Sequence, residues 1–418
     1  MSEDVEKAAV RTGVRVSRRL SVGLTVATGV LTVFGPLSLD LYLPVLPAIT
    51  REFRTSDSIA QVTLSACLVG LAIGQLVAGP LSDRFGRRRV LLIGVAAYAT
   101  FSGLCAVSPT VESLAAARLV QGVAGGFGMV IAQAAGRDTH AGGGLVRFYG
   151  RLAVLSGSAA IVAPLIGGAL ASIMPWRGVF IVLALLGVGI FLFVAVSFAE
   201  TLPTSRRVVG GVAHTLRNYR TLVRDWRVVS VVAAVAFANA CLYAYLSGAT
   251  YVLQGQYHFS AAAYSYAFGS GSVAFVICGY LGGALAERRG EARTLTVGVG
   301  VILTGATAVL GVGITHANAA AFIGAVVLMV AGIGIMSPAG TALVVSRYPH
   351  MAGTAASLLG TSRLALGGIT APLVGAAGTT TALTLGMVMT VAAAIAFAAS
   401  IAVTQAHRVR RPQSPVEC

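Results

Sequence analysis

Residues 74–86 read GQLVAGPLSDRFG, and residues 278–290 read CGYLGGALAERRG. Gly79 falls on Gly283, Asp83 on Glu287 and Arg84 on Arg288, each pair 204 positions apart. A second echo keeps nearly the same offset: Ala163-Pro164-Leu165-Ile166-Gly167 returns as Ala371-Pro372-Leu373-Val374-Gly375, 208 positions on. Self-similarity at half the chain length marks two copies of one structural unit.

Long uncharged runs fill most of the chain around these stretches. They lie near residues 22–44, 60–81, 90–107, 112–135, 150–174 and 178–199 and, after a polar interval, near 228–253, 264–286, 294–315, 318–345, 352–377 and 380–403. Apolar residues make up 56% of the 418 positions and charged residues only 11%, against about a quarter in soluble domains. At about 20 residues per crossing, that apolar content suits twelve membrane helices. The runs are continuous rather than alternating with period two, which selects helices over barrel strands. The expected fold is an all-α membrane protein, twelve transmembrane helices in two pseudo-symmetric six-helix bundles with a cavity between them, which is a transporter architecture. Its parts are an N-terminal tail over 1–20, bundles over 21–200 and 228–404, an Arg-rich linker over 201–227 and a C-terminal tail over 405–418. A mean hydropathy of +0.84 excludes a disordered chain and an ordinary cytosolic enzyme.

A formal net charge of +16 points first to nucleic acid, and the positions of the basic residues give it another meaning. With both termini placed inside, 25 of the 30 Lys and Arg fall in the tails and inward loops; Arg51, Arg54 and Arg177 face outward, and Arg118 and Arg363 lie within spans. Basic residues are retained on the cytoplasmic side during insertion, so the charge sets topology. No nucleic-acid partner is expected, and anionic lipid is the expected neighbour of the inner Arg clusters. Arg outnumbers Lys 29 to 1, which implies a GC-rich genome and a bacterial inner membrane. The five cysteines Cys67, Cys105, Cys241, Cys278 and Cys418 are scattered, and the six histidines lie outside the apolar runs. Neither a disulfide framework nor a metal or haem ligand set is expected.

Four motifs resemble those of the major facilitator superfamily, and in particular its drug:proton antiporters of the Bcr/CflA type. They are Asp40-Leu41-Tyr42-Leu43-Pro44-Val45-Leu46-Pro47 in the first span; Gly79, Asp83, Arg84, Gly86, Arg87 and Arg88 in the loop between spans 2 and 3; Arg118-Leu119-Val120-Gln121-Gly122 in span 4; and a span 5 signature of Gly150, Ala159, Ala163-Pro164 and Gly167. Alanine stands at two glycines of the antiporter pattern in span 5, which keeps that site small. The resemblance implies export of a small, partly apolar antibiotic, bicyclomycin-like or phenicol, driven by the proton gradient without a cofactor and by a monomer. In the loop, Gly79 and Gly86 are expected to let backbones approach and turn. Asp83 is expected to face the positive end of span 11 near Met351 and so latch the cytoplasmic side in the outward-open state.

Of the 14 acidic residues only Asp40 lies inside a span, where an ionisable group costs a few kcal/mol without a partner or a water path. Asp40 is the expected proton carrier. Residue counting puts Asp40 and Arg118 at a similar depth, roughly 6–10 Å from the outer edge, so Arg118 is the expected partner that tunes it. Arg363 falls roughly 16 Å from the inner edge, near the bilayer centre. Two readings of it stay open: a cavity residue that favours neutral, polar or acidic drugs over bulky cations, or a structural partner of Asp40 or of helix carbonyls.

Tyr42, Gln121, Gln133, Asn239, Tyr243 and Tyr245 offer hydrogen-bonding and stacking groups for a mostly apolar ligand, or else pack between helices. Gly70 to Gly74 and Gly122 to Gly126 have the spacing of close helix crossings. A membrane enzyme lacks the buried metal ligands or paired carboxylates it needs. A non-transporting sensor gives no reason for Asp40, Arg118 and the loop motif to occur together. A symporter or exporter of a metabolite such as an amino acid or sugar remains the serious alternative.

Overall fold

The computed structural model describes residues 26–139, 142–207, 211–348, 351–376 and 380–408. The N-terminal tail and most of the C-terminal tail lie outside these. The described residues form helices and connecting turns, with no strand among them. The first span position holds α1 (Val26–Thr32) and α2 (Phe34–Asp40), a 3-10 turn (Leu43–Val45) and α3 (Leu46–Glu52). There follow α4 (Asp57–Phe85), α5 (Arg87–Ala106), α6 (Val111–Thr139), α7 (Gly142–Ile173) and α8 (Trp176–Ser197). The linker forms α9 (Gly211–Arg224). The second half holds α10 (Trp226–Tyr251), α11 (Ala261–Arg289), α12 (Glu291–Thr315), α13 (Ala319–Arg347), α14 (Ala352–Leu373) and α15 (Ala382–Arg408).

Helices thus stand at every expected span position. Among the described residues nine are long and apolar enough to cross a membrane: α4, α5, α6, α8, α10, α11, α12, α13 and α15. The bent first span makes a tenth, with a 40° bend. The fifth and eleventh positions hold α7 and α14, outside that set. Helix starts follow ordinary capping chemistry: Ser56, Ser260 and Asn318 accept the backbone N–H of Ile59, Ala263 and Ala321.

The half-chain repeat survives in backbone geometry. Gly86 and Gly290 both take positive φ, 94° and 85°, and each joins two helices, α4 to α5 and α11 to α12. That φ suits glycine, which has no Cβ to clash. Gly79 differs from its expectation: a Cβ there meets nothing within 4 Å, so no backbone approaches it.

The two small-residue spacings prove to be the two sides of one crossing. A Cβ on Gly70 would lie 2.1 Å from the Leu119 carbonyl oxygen, on Gly74 2.3 Å from that of Val123, and on Gly122 2.2 Å from that of Cys67. Helices α4 and α6 therefore touch backbone to backbone, which only small residues permit in lipid. Gly74→Val is expected to lower the unfolding midpoint of detergent-purified protein, at an overpacking cost of about 1–3 kcal/mol. Gly79→Val, entering open space, is expected to leave it unchanged. Equal losses from both would refute this account of the crossing.

Candidate functional site

Pro44 and Pro47 decide the shape of the first span. Proline has no N–H and clashes with the carbonyl four residues back, so Pro44 and Pro47 leave the Asp40 and Leu43 carbonyls without their helical donors and strain a continuous helix there. Helix α2 ends at Asp40, and the Tyr42 N–H bonds the Leu39 carbonyl at 3.2 Å in a tighter turn. The tighter turn also takes the Tyr42 N–H away from the Ser38 carbonyl, and carbonyls freed at the break need donors from elsewhere, since lipid supplies none. Arg118 Nη1 donates to the Ser38 carbonyl at 3.0 Å, and Gln254 Nε2 to the Pro44 carbonyl at 3.0 Å. Helix α7 lies directly on the break, where a Cβ on Gly167 would sit 2.6 Å from the Leu41 carbonyl oxygen. Pro164 lies one turn earlier within α7, and Gly150 lies farther back in the same helix.

The break aims the Asp40 carboxyl into a cavity of about 320 Å³ between the halves. Leu39, Asp40, Leu71, Gln75 and Met129 line it from the first half; Tyr243, Tyr245, Phe268, Phe275, Gly360 and Arg363 line it from the second. Asp40 is 7% exposed and makes no hydrogen bond or ion pair among the described residues. Tyr245 and Phe268 stack nearly parallel, with centroids 5.6 Å apart, and give the cavity a flat aromatic wall.

Arg118 does not pair with Asp40 in this structure. It is fully buried, and its Nη1 donates to Gln121 Oε1 at 2.7 Å as well as to Ser38. Its guanidinium carbon lies 4.6 Å from the Tyr42 ring centroid and 5.6 Å from that of Phe180. Nε and Nη2 have no hydrogen-bond partner among the described residues. A guanidinium held by two acceptors and two aromatic faces is a cation without a counter-charge.

The sequence-derived cavity residues separate accordingly. Asp40, Tyr243, Tyr245 and Arg363 reach the cavity. Tyr42 and Gln121 belong to the Arg118 box, where the Tyr42 hydroxyl bonds Thr63 and Gln121 Nε2 donates to Ser102 Oγ at 2.7 Å. Asn239 donates to the Val235 carbonyl of its own helix at 2.8 Å, and Gln133 is exposed; neither lines the cavity. Arg363 bonds neither Asp40 nor a helix carbonyl: its Nη2 donates to Thr341 Oγ1 at 3.3 Å. Gln75 and Phe268 were not anticipated. Gln75 is a polar residue inside a span and so carried a signal, whereas Phe268 is one aromatic among many.

The 2/3 loop is knitted into its own half. Asp83 pairs with Arg87 at 2.6 Å rather than with the start of α14, and Arg87 Nε donates to Asp138 Oδ2 at 3.1 Å. Glu200 Oε1 accepts the Arg87 N–H at 2.9 Å and Oε2 that of Arg88 at 3.3 Å, so this carboxylate caps α5. Arg88 Nη2 donates to the Ala195 carbonyl, and Arg84 lies 5.1 Å over the Phe85 ring. At the same end burial pushes the Asp225 carboxyl up, but Arg347, the Arg227 N–H and the Tyr348 hydroxyl outweigh it and hold the group below the usual carboxylate range.

Hydrogen bonds between the halves gather at the opposite end. Gln61, fully buried, donates to the Ser247 carbonyl at 3.4 Å and Thr380 Oγ1 at 3.2 Å, and accepts the Gly375 N–H at 3.2 Å. Asp57 accepts the Thr380 N–H at 3.0 Å, Ser58 donates to the Pro372 carbonyl at 3.1 Å, and Thr50 meets Tyr251 at 2.7 Å. This end is closed beyond the cavity.

A sequence pattern described as the Major Facilitator Superfamily matches residues 28–372. The chain is 34% identical over 390 residues to an uncharacterized MFS-type transporter, YdgK, of Bacillus subtilis (strain 168), covering 92% of this chain and 96% of the relative. It is 28% identical to a bicyclomycin resistance protein homolog of Haemophilus influenzae, covering 83% and 87% of the two. A peptide transporter POT crystal structure in complex with sulfate superposes with a TM-score of 0.75 at 13% identity, covering 93% of this chain and 94% of that one. That last likeness concerns the fold alone.

The Arg118 box makes a prediction about stability. Gln121→Leu removes one acceptor and is expected to cost about 2–3 kcal/mol in detergent unfolding. The double variant Arg118→Met/Gln121→Leu leaves no charge stranded but takes the donor from the Ser38 carbonyl, and is expected to regain part of that loss. A double variant less stable than the single one would show that the guanidinium is not the strained partner.

Proposed function

The chain belongs to the Major Facilitator Superfamily, and from that premise we propose that it is a proton-coupled exporter of a small, partly apolar drug, working by alternating access. It is a multi-pass membrane transporter rather than an enzyme. The observation that carries the proposal is the Asp40 carboxyl, unpaired and facing a cavity built by both halves. An acid so placed costs several kcal/mol when charged and dry, so binding a proton or a cation there biases the arrangement of the halves. Proton and drug then compete for one state of the cavity, and each promotes release of the other through linkage.

The remaining residues take roles consistent with this. Arg118 fixes the backbone break that presents Asp40, and its unpartnered nitrogens leave it free to draw the carboxylate when span 1 moves. The polar latch of Gln61, Asp57, Ser58 and Thr380 closes the outer end, which makes this the inward-facing state. Asp83, turned back on Arg87, is the released form of the latch expected at α14. In this orientation the linker and both tails lie in the cytoplasm, with the exposed arginines of α9 beside anionic lipid of the bacterial inner membrane. One chain lines the cavity from both halves, which supports a monomer as the working unit. Similarity to a bicyclomycin resistance protein homolog supports an antibiotic as cargo.

The proposal is tested by growth of cells expressing the chain across an antibiotic panel that includes bicyclomycin and a phenicol, with efflux measured with and without a protonophore. Wild type is expected to expel at least one compound uphill in a protonophore-sensitive way. Asp40→Asn is expected to reduce uphill efflux to the passive rate while retaining membrane expression. Active pumping by Asp40→Asn would remove the proton role, and inward accumulation of a metabolite would replace export with symport.

A further inference from the structure

Asp40 and Arg363 stand on opposite halves of the molecule and open on the same cavity. They do not neutralise one another: no ion pair joins them, and Asp40 has no hydrogen-bond partner among the described residues. Among the described residues Arg363 makes one hydrogen bond, 3.3 Å from Nη2 to Thr341 Oγ1, and its buried Nε has none. The other walls are mostly apolar, with the stacked Tyr245 and Phe268 rings among them. In such surroundings each uncompensated charge carries a desolvation penalty that a ligand of opposite charge relieves.

We propose that the cavity selects compact dipolar ligands, with a cationic amine directed to Asp40, an anionic or strongly hydrogen-bond-accepting group directed to Arg363, and a flat or alkyl body against Tyr245 and Phe268. This rests on the reading of Asp40 as the coupling acid and names the cargo class of the same site. A purely cationic ligand answers Asp40 and leaves Arg363 repelling it. A purely anionic one does the reverse, and a neutral one answers neither fully. Only a ligand with both groups pairs both walls and leaves the cavity without net charge. A volume of about 320 Å³, at the small end for ligand sites, limits the body to one ring or a short chain. Because the two charges sit on different halves, the ligand bridges them.

The test is equilibrium binding to detergent-purified full-length protein, read as concentration-dependent stabilisation against heat. Four probes share one ring: phenylalanine (zwitterion), phenylalaninamide (cation), N-acetylphenylalanine (anion) and N-acetylphenylalaninamide (neutral). Phenylalanine is expected to half-saturate at a concentration about tenfold below either singly charged probe, the size of one charge-assisted hydrogen bond, and farther still below the neutral one. Asp40→Asn is expected to abolish its advantage over N-acetylphenylalanine, and Arg363→Gln its advantage over phenylalaninamide. Equal or better binding of any singly charged or neutral probe, binding of none, or a zwitterion preference that persists in both variants would each overturn the proposal. The assay uses no proton gradient. A protein that prefers the zwitterion but does not pump would fail the export reading and leave this one standing.

Discussion

Backbone carbonyls inside a membrane must find donors within the protein, and two prolines after Asp40 force that problem on the first span. Pro44 and Pro47 follow the end of α2, and the turn there frees carbonyls among buried residues. The answer comes from distant helices. Arg118 on α6 takes Ser38, Gln254 beyond α10 takes Pro44, and α7 presses Gly167 onto Leu41. A charged side chain, an amide and a missing Cβ thus hold open a kink that a straight helix would close. The placement of Asp40 on the cavity wall follows from it.

Arg118 appears in this light as part of the scaffold and as a source of stress. Its Tyr42 and Phe180 faces and its two acceptors satisfy only part of a guanidinium. A buried cation without a counter-charge among the described residues is tolerable while the kink needs it. Hydrogen bonds join the halves at one end, most of them between uncharged groups, with the Asp57 carboxylate accepting the Thr380 N–H; among the described residues no ion pair joins the halves, and Arg177 pairs with Glu52 at that same end within the first half. Neutral contacts of about 1 kcal/mol each can be broken together without stranding charge, which suits a seam that opens and closes.

Much of the fold was legible as pattern. Continuous apolar runs, charge asymmetry and the half-length repeat gave the helices and the paired halves, and Gly86 and Gly290 confirm that repeat at the level of φ. Gly70, Gly74, Gly122 and Gly126 were legible as crossing residues because small side chains at a spacing of four leave few other uses in lipid. The cavity was less legible. Asp40 and Arg363 stood out because charge inside a span is costly, whereas Tyr42, Gln121, Asn239 and Gln133 stood out only for being polar. Polarity alone does not distinguish a group facing a ligand from one satisfying a neighbouring helix.

Local chemistry, readable in one dimension, determined which segments are helices, where glycine turns join them and which ionisable groups must matter, since each depends on residue type, spacing and the price of charge in lipid. Only the tertiary structure decided that Asp40 faces Arg363's cavity instead of Arg118's guanidinium, and that Asp83 turns to Arg87 instead of α14. Those outcomes depend on how helices rotate about their axes and on which end of the pseudo-symmetric pair is closed. Both are settled by packing between residues hundreds of positions apart.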